Sequence, residues 1–496
     1  MKVRLITSAT SPAKELVLGL AYNGKNPDLG VALQAAVKDA KKTGDLATKV
    51  RATSMFYPTG RKLPVRMGFV GGGKRSEVTV DKLRRAAAVA FNLASSHEVK
   101  TFRLVVNQDD HKDLDAEVAG RALTEGLILG AYSYRKPSGD KPPTPRAQSA
   151  EILYTGRNGK GFRAGVQIGR IGAQATAFAR DIENLPGNIA TPRYLANQAR
   201  KFKTPRLTVR IMNERDMQKH GMAALLGVSR GSREPAKMIL MDYKPTGYKS
   251  TVCVVGKGLT FDTGGISIKP SANLADMRYD MCGGGAVLGL FHAIANGGMQ
   301  GVKGKVRVVG VVPSSENMPD GDAQKPGDVV KACDGTTIEI INTDAEGRLI
   351  LADALAYAKK TYKPRCMVDL ATLTGAVVVA LGHEMAGIMG SDDDLIQDLI
   401  EAGQECDEPL WQLPLWDVHR DQIKGKFADV NNLNSPAHGN GSISGGAFLS
   451  FFTKGVPWAH IDIAGAAWGA TAKDYYTGGA VGTAVRTLLH WVRGLK

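Results

Sequence analysis

Apolar residues recur along the chain in two rhythms. Short, nearly continuous apolar runs of strand length occupy residues 3–6, 15–21, 102–106, 238–241, 251–255, 306–312, 338–341, 366–370 and 460–463. Other stretches show helical spacing of their apolar positions, at 29–43, 80–95, 114–129, 173–183, 286–295 and 349–359. The first rhythm predicts strands, the second helices, and their alternation predicts an α/β fold. Runs that are continuous rather than alternating fit strands buried on both faces of a largely parallel or mixed sheet. Ligands of such sheets bind outside the carboxyl ends of the strands. The polar residues just past these runs are therefore the ones to read for chemistry.

One segment breaks both rhythms. Residues 136–145 are dense in proline and polar side chains and read as a linker. The 496 residues also exceed what one hydrophobic core usually serves. The boundary is expected between about 150 and 170, and is set at 160/161. The expected fold is a smaller N-terminal α/β domain, residues 1–160, followed by a larger α/β/α domain, residues 161–496, with a mixed, largely parallel sheet. No internal repeat is seen.

Composition adds exclusions. No apolar run reaches the roughly 18–20 residues that span a bilayer, so no membrane partner is expected. Lys14 and Glu15 interrupt any apolar stretch in the first 20 residues, which argues against a signal peptide and for the cytoplasm. Five scattered cysteines with no C-x-x-C pair fit free thiols in a reducing compartment.

The net charge is +16, and its location matters. Residues 1–170 hold 29 basic and 15 acidic side chains, whereas the remainder holds 35 and 33. A basic N-terminal third could attract nucleic acid, or could be no more than a solvated face. No helix-turn-helix, RNP or zinc-finger signature accompanies it.

Candidate chemistry gathers in three segments. The run 251–255 leads into a glycine-rich loop carrying Lys257 and Asp262. Asp280 precedes another glycine-rich stretch and the helix at 286–295. Asp344 and Glu346 follow the run 338–341, and two carboxylates at i and i+2 of extended backbone point to one side. Four such carboxylates would repel one another strongly if dry and unpaired, and divalent cations are the simplest neutralisation. Oxygen-rich ligation without histidine favours Mg, Mn or a pair of Zn ions. Taken singly, Asp262 or Asp280 could equally be a turn former or helix cap.

Three other patterns lead elsewhere. Gly68 to Arg75 nearly matches a phosphate-binding loop, but Arg75 stands where a Ser or Thr hydroxyl must meet Mg²⁺. Gly227-Val228-Ser229-Arg230-Gly231 has the spacing of a serine-hydrolase elbow without a clear strand leading into it. His383-Glu384 lacks the second histidine of a zincin helix.

The segments 255–265 and Asn342-Thr343-Asp344-Ala345-Glu346-Gly347-Arg348-Leu349 closely resemble the signatures of the leucyl (cytosol) aminopeptidases. The likeness extends from Asn184 to the C-terminus, through 184–188, 316–319, 369–375 and 458–465. The N-terminal part carries no motif that can be placed.

The resemblance implies hydrolysis of the N-terminal peptide bond of peptides, with preference for Leu-like first residues. It implies two divalent metal ions per subunit, Mn or Zn with Mg or Co as alternatives. Asp262 and Glu346 would bridge them, Lys257 and Asp280 would complete one site, and the Asp344 side chain and carbonyl the other. The substrate's free α-amine would bind one metal, which limits cleavage to the first residue. Lys269 would stabilise the oxyanion; without the resemblance it reads as a loop lysine. Arg348 would hold a bicarbonate that relays the proton, or else is a helix-start residue paired to a carboxylate. Met277, Thr372, Gly375, Ala464 and Ala467 would line the pocket for the first side chain, or be ordinary core. The small Ala467 hints at a roomier pocket. A homohexamer of two trimers, with sites facing an inner cavity, is likewise implied.

Overall fold

The computed structural model describes residues 1–6, 15–25, 27–60, 62–111, 113–134, 137, 147–469, 473–476 and 478–496. Apart from Pro137, the expected linker at 136–145 lies outside the described residues. The chain forms two compact units, Met1–Ala177 with Ala472–Thr477, and Phe178–Thr471 with Gly478–Lys496. The expected division at 160/161 falls near the start of the helix Gly159–Glu183, which begins well before the 173 expected from its apolar spacing.

In the first unit six strands form one sheet: β1 (Lys2–Ile6), β2 (Leu16–Tyr22), β3 (Thr53–Phe56), β4 (Arg66–Gly73), β5 (Thr101–Val106) and β6 (Ser149–Tyr154). Their order is β1-β6-β5-β2-β4-β3. All pairs are parallel except β3 with β4. Leu16, Leu18, Leu20 and Tyr22 of β2 join a core with the helices Val80–Ser96 and Ala116–Gly130. Val17 and Ala21 join a second core with Leu33 and Val37. A strand covered on both faces needs apolar residues at every position, and this is why β2 reads as a continuous run.

The strand β4 was not apparent in the hydrophobic pattern, because four of its eight residues are glycines. A Cβ on Gly71 would lie 1.9 Å from the Lys49 carbonyl oxygen, and one on Gly72 would lie 2.3 Å from the Tyr22 ring. The glycines that imitate a phosphate loop therefore let neighbouring chain pack against the strand. The stretch 29–43 is a short 3-10 turn, Val31–Leu33, followed by the helix Gln34–Lys42.

The second unit holds a larger mixed sheet of nine strands. They are β7 (Leu207–Met212), β8 (Lys237–Tyr243), β9 (Ser250–Gly256), β10 (Gly258–Asp262), β11 (Val306–Asn317), β14 (Cys366–Ala371), β15 (Ala386–Gly390), β16 (Leu410–Gln412) and β18 (Trp458–Asp462). A small second sheet contains β12 (Val329–Lys331), β13 (Thr337–Glu339) and β17 (Val430–Asn431). The large sheet runs β16-β15-β18-β14-β9-β11-β8-β7, with β10 beside β11. Its centre, β18-β14-β9-β11, is parallel. Cys253 and Val255 of β9 pack with residues of the helix Gly347–Tyr362, and the intervening Val252 and Val254 point to the opposite face. The helix Cys282–Ala295 packs against β9, β11 and β14. Helices cover both faces, so the unit is an α/β/α layer structure, as its sequence pattern predicts.

The serine of the elbow-like pattern ends the helix Ala223–Ser229, is buried, and donates its hydroxyl to the Leu226 carbonyl oxygen at 3.1 Å. His383 lies in a turn with its Nδ1 2.8 Å from the Gly465 carbonyl oxygen.

Candidate active site

The polar residues singled out above meet at the carboxyl ends of the central strands. Lys257 follows β9, Asp262 ends β10, and Thr372 follows β14. Asp280 lies between the 3-10 helix Leu274–Tyr279 and the helix Cys282–Ala295. Two glycines bring that helix against the Lys257 backbone. Gly284 donates its N–H to the Lys257 carbonyl oxygen at 2.6 Å, and a Cβ on Gly283 would meet the Leu370 carbonyl oxygen at 2.2 Å.

Asp344 and Glu346 do not extend a strand. β13 stops at Glu339, and residues 343–344 form a turn before Glu346 caps the helix Gly347–Tyr362. Asp344 is tied down by its own N–H donating to the Asn342 side chain at 2.7 Å. The two carboxylates consequently meet different surroundings. Glu346 is buried, whereas the Asp344 side chain is 34% exposed.

Lys257 Nζ donates to Asp280 Oδ1 at 2.8 Å and to the Thr372 carbonyl oxygen at 2.9 Å, and lies 2.9 Å from Glu346 Oε1. Asp262, Asp280 and Glu346 each offer a carboxylate oxygen, and the three oxygens lie within 4.8 Å of one another. Lys269 Nζ bridges the rest of the site, 2.8 Å from Asp262 Oδ2 and 2.5 Å from Asp344 Oδ1. Gly347 must stay without a side chain, because its Cβ would lie 2.6 Å from Lys257 Nζ.

Two lysines do not neutralise four carboxylates, three of them buried and crowded together. Burial, followed by the charge of Asp262, pushes the Glu346 carboxyl up to about 8. Asp280 is pushed up to about 6, again chiefly by burial, with Lys257 opposing. Asp344 is raised as well, by burial and by Asp262. Burial disfavours the charge on Lys257, but Asp280, Glu346 and Asp262 outweigh it and hold the amine above its ordinary range. Lys269 is raised for the same reason, burial being overcome by Asp262 and its companions. Glu346 Oε2 is buried with no hydrogen-bond partner. An unsatisfied carboxylate oxygen in the interior costs several kcal/mol unless a cation meets it, so these donors fit a divalent metal.

Arg348, in the first turn of its helix, is buried, and burial lowers its guanidinium to about 10. One amino group donates to the Asn432 carbonyl oxygen at 2.8 Å, and its Nε has no hydrogen-bond partner. Of the expected pocket residues, Thr372 sits within the cluster, its hydroxyl donating to Asp280 Oδ1 at 2.6 Å. Met277 is half-buried on the 3-10 helix beside Asp280, and Ala464 and Ala467 are buried just past β18. Gly375 is exposed, and a Cβ there would meet open space.

Two asparagines that sequence reasoning assigned no role hold the site in shape. Asn317, at the end of β11, donates its amide to Asp262 Oδ1 at 2.8 Å and to the Thr343 carbonyl oxygen at 3.0 Å. Asn432 donates to the carbonyl oxygens of Asn342 at 2.7 Å and Ala345 at 3.2 Å, and accepts from the Ile341 N–H at 2.7 Å. Asn317 belongs to a segment that carries the family likeness, and this was its only sequence signal. Asn432 had none.

The catalytic domain of the cytosol aminopeptidase family matches residues 177–489, and the family's N-terminal domain matches residues 17–137. A probable cytosol aminopeptidase of Azoarcus sp. (strain BH72) is 41% identical over 469 residues, 91% of this chain and 91% of that relative. One from Roseiflexus castenholzii (strain DSM 13941 / HLO8) is 39% identical, covering 93% and 94%. Among solved structures, the bottromycin maturation enzyme BotP in complex with Mn superposes with a TM-score of 0.84 at 32% identity, covering 97% of this chain and 99% of that one. A buried carboxylate–lysine cluster at the ends of parallel strands, and likeness through both domains, lead to one conclusion: this chain belongs to the cytosol aminopeptidase family.

Proposed function

We propose that the chain is a dinuclear metallo-aminopeptidase that removes Leu-like apolar residues from the free N-terminus of peptides. The observation that carries this reading is the buried trio Asp262, Asp280 and Glu346, with the Glu346 Oε2 unpartnered beside Lys257. Asp262 and Glu346 would be shared by two divalent cations, with Asp280 and Lys257, the latter as the neutral amine once the cations' charge drives off its proton, on one and Asp344 on the other. Mn or Zn suits this donor set, with Mg or Co as alternatives. When bound, the cations supply Lewis acidity and an activated water.

The chain's own residues do the remainder. Lys269 keeps its ammonium at working pH, since Asp262 and its companions outweigh burial, and it offers donors to the developing oxyanion. Arg348 presents a buried Nε with no partner to a proton-relaying anion, for which bicarbonate has the right size and charge. Asn317 and Thr372 aim the Asp262 and Asp280 carboxylates through 2.8 and 2.6 Å hydrogen bonds. Met277, Thr372, Gly375, Ala464 and Ala467 form the pocket for the first side chain, with small residues leaving room for a branched apolar group. The division of labour is a basic N-terminal domain, residues 1–160, and a catalytic domain, residues 161–496, working in the cytoplasm as a homohexamer.

Hydrolysis of leucine p-nitroanilide that requires Mn²⁺ or Zn²⁺ and stops with chelator is the expected result. Inactivity of metal-restored protein on a panel of unblocked dipeptides would overturn the reading. Size-exclusion with light scattering tests the hexamer. Nucleic-acid binding through the basic N-terminal third has no observation in its favour, and no described helix is long and apolar enough to cross a membrane.

A further inference from the structure

The first unit has a second place where polar groups gather at strand ends. From β2 the chain passes through β3 to β4 on one side, and after the helix Val80–Ser96 it returns to β5 on the other side of β2, then continues outward to β6. The neighbouring strands β2 and β5 are therefore the point at which the winding direction reverses. In open parallel sheets, ligands sit in the crevice outside the carboxyl ends of such a pair. Here that position is a cavity of about 400 Å³, lined from β2, from the loops after β2 and β5, and from residues 155 and 157 after β6. The volume lies within the range of small-molecule sites.

The lining settles the kind of ligand. Asp109 is already clasped by both Lys25 and Arg75. Asp110 is buried and accepts the Asn107 N–H at 2.8 Å, while Tyr22 donates its hydroxyl to the Asp110 carbonyl oxygen at 3.0 Å. Asp28, Gln108, Thr155 and Arg157 complete the rim. Lys25, Arg75 and Arg157 stand against Asp28, Asp109 and Asp110, three groups of each sign, so no surplus of cations is left to hold a phosphate or carboxylate. Carboxylates accept from paired hydroxyls, while the amide and guanidinium groups donate to ligand oxygens.

We propose that this crevice is a second ligand site, separate from the peptidase centre, that takes an uncharged, hydroxyl-rich small molecule through a vicinal diol. A nucleoside and a disaccharide share that chemistry and fit the volume. The site does not depend on the peptidase reading, since every lining residue belongs to the first unit.

The test titrates the full-length, metal-loaded protein calorimetrically with adenosine, 2′-deoxyadenosine, trehalose and AMP. The proposal expects adenosine or trehalose to bind with a dissociation constant below about 1 mM, and the responding arm identifies the source. If adenosine responds, 2′-deoxyadenosine should bind at least about tenfold more weakly, a difference of about 1.4 kcal/mol. Thr155 is exposed at the rim, so Thr155→Trp should fill the mouth and lower affinity at least about tenfold with leucine p-nitroanilide turnover unchanged. Asp28→Ala, also at an exposed position, should lower affinity in the same direction and serves if the tryptophan variant misfolds. Failure of both adenosine and trehalose to bind overturns the proposal. So does unaltered affinity in the well-folded variants, or tighter binding of AMP than of adenosine, which would mark an anion site instead.

Discussion

The six-stranded and nine-stranded sheets both end in clusters of carboxylates and basic side chains at the carboxyl ends of parallel strands, but the two clusters solve their charge differently. In the first unit Asp109 is met by Lys25 and Arg75, and the buried Asp110 by a backbone N–H. In the second unit, Asp262, Asp280 and Glu346 are crowded together and Asp344 is linked through Lys269, with an oxygen of Glu346 meeting no donor. Acidic residues beside a sheet are thus weak evidence for a metal. What distinguishes the second cluster is that the protein leaves its charge unbalanced where water does not reach.

The strongest way to break this comparison is to remove the imbalance. Glu346→Gln keeps the shape and deletes one buried charge, so metal content and turnover should collapse while the fold survives. Turnover should fall by about 10³-fold, the scale on which loss of one electrostatic stabiliser acts. The melting temperature of the metal-free protein should be unchanged or higher, because a carboxyl that burial pushes up to about 8 no longer has to be accommodated. A metal-free melting temperature that drops sharply would show that Glu346 is a packing element.

A smaller effect is expected from the groups that aim the ligands. Asn317→Ala removes the amide held 2.8 Å from Asp262 Oδ1 and should weaken metal binding by about 10–100-fold, read by metal titration of activity. Asn432→Ala removes the clamp on the loop from Ile341 to Ala345 and frees three part-buried backbone groups, at up to about 1–3 kcal/mol each if unsatisfied. Denaturant unfolding should show a loss of stability for both variants, larger for Asn432→Ala, which frees three backbone groups, than for Asn317→Ala, which frees one, the Thr343 carbonyl oxygen. Equal losses would dissolve the distinction between aiming a ligand and holding a loop.

The sequence makes the ligands far more legible than the groups around them. Lys257, Asp262, Asp280, Asp344 and Glu346 sit beside glycine-rich turns and strand-like runs, a local pattern visible without a fold. Asn317 and Asn432 act on partners 55 and 90 residues away in the chain, and an isolated amide leaves no periodic trace. Strands show a similar split. β9 and β14 are continuous apolar runs because both faces are covered. β11 continues from its apolar half through Pro313, Ser314 and Ser315 to Asn317, since its far half pairs with β10. Those serines are fully buried, although the apolar run that predicts the strand ends at 312. β4 was hidden by the glycines that let Tyr22 and residues 48–49 approach it. The pattern of apolar residues reports which side chains need shelter, and says little about backbone that must come close.

The mildest prediction concerns the balanced cluster. Burial pushes the Asp110 carboxyl up to about 7, against the Asn107 N–H and the charges of Lys25 and Arg75. In the unfolded chain the same group ionises near its ordinary value of 3.8. Between these two values the folded state holds more protons than the unfolded one, so raising the pH favours unfolding. The contribution of Asp110 is fully present below the unfolded value and is lost as pH rises through about 7. Asp110→Asn keeps an acceptor for the Asn107 N–H and removes the titration. The variant should therefore lose stability less steeply than the parent between pH 4 and 7, measured by denaturant melts across that window. Parallel pH profiles for the two proteins would mean that Asp110 is already ionised in the fold across this window.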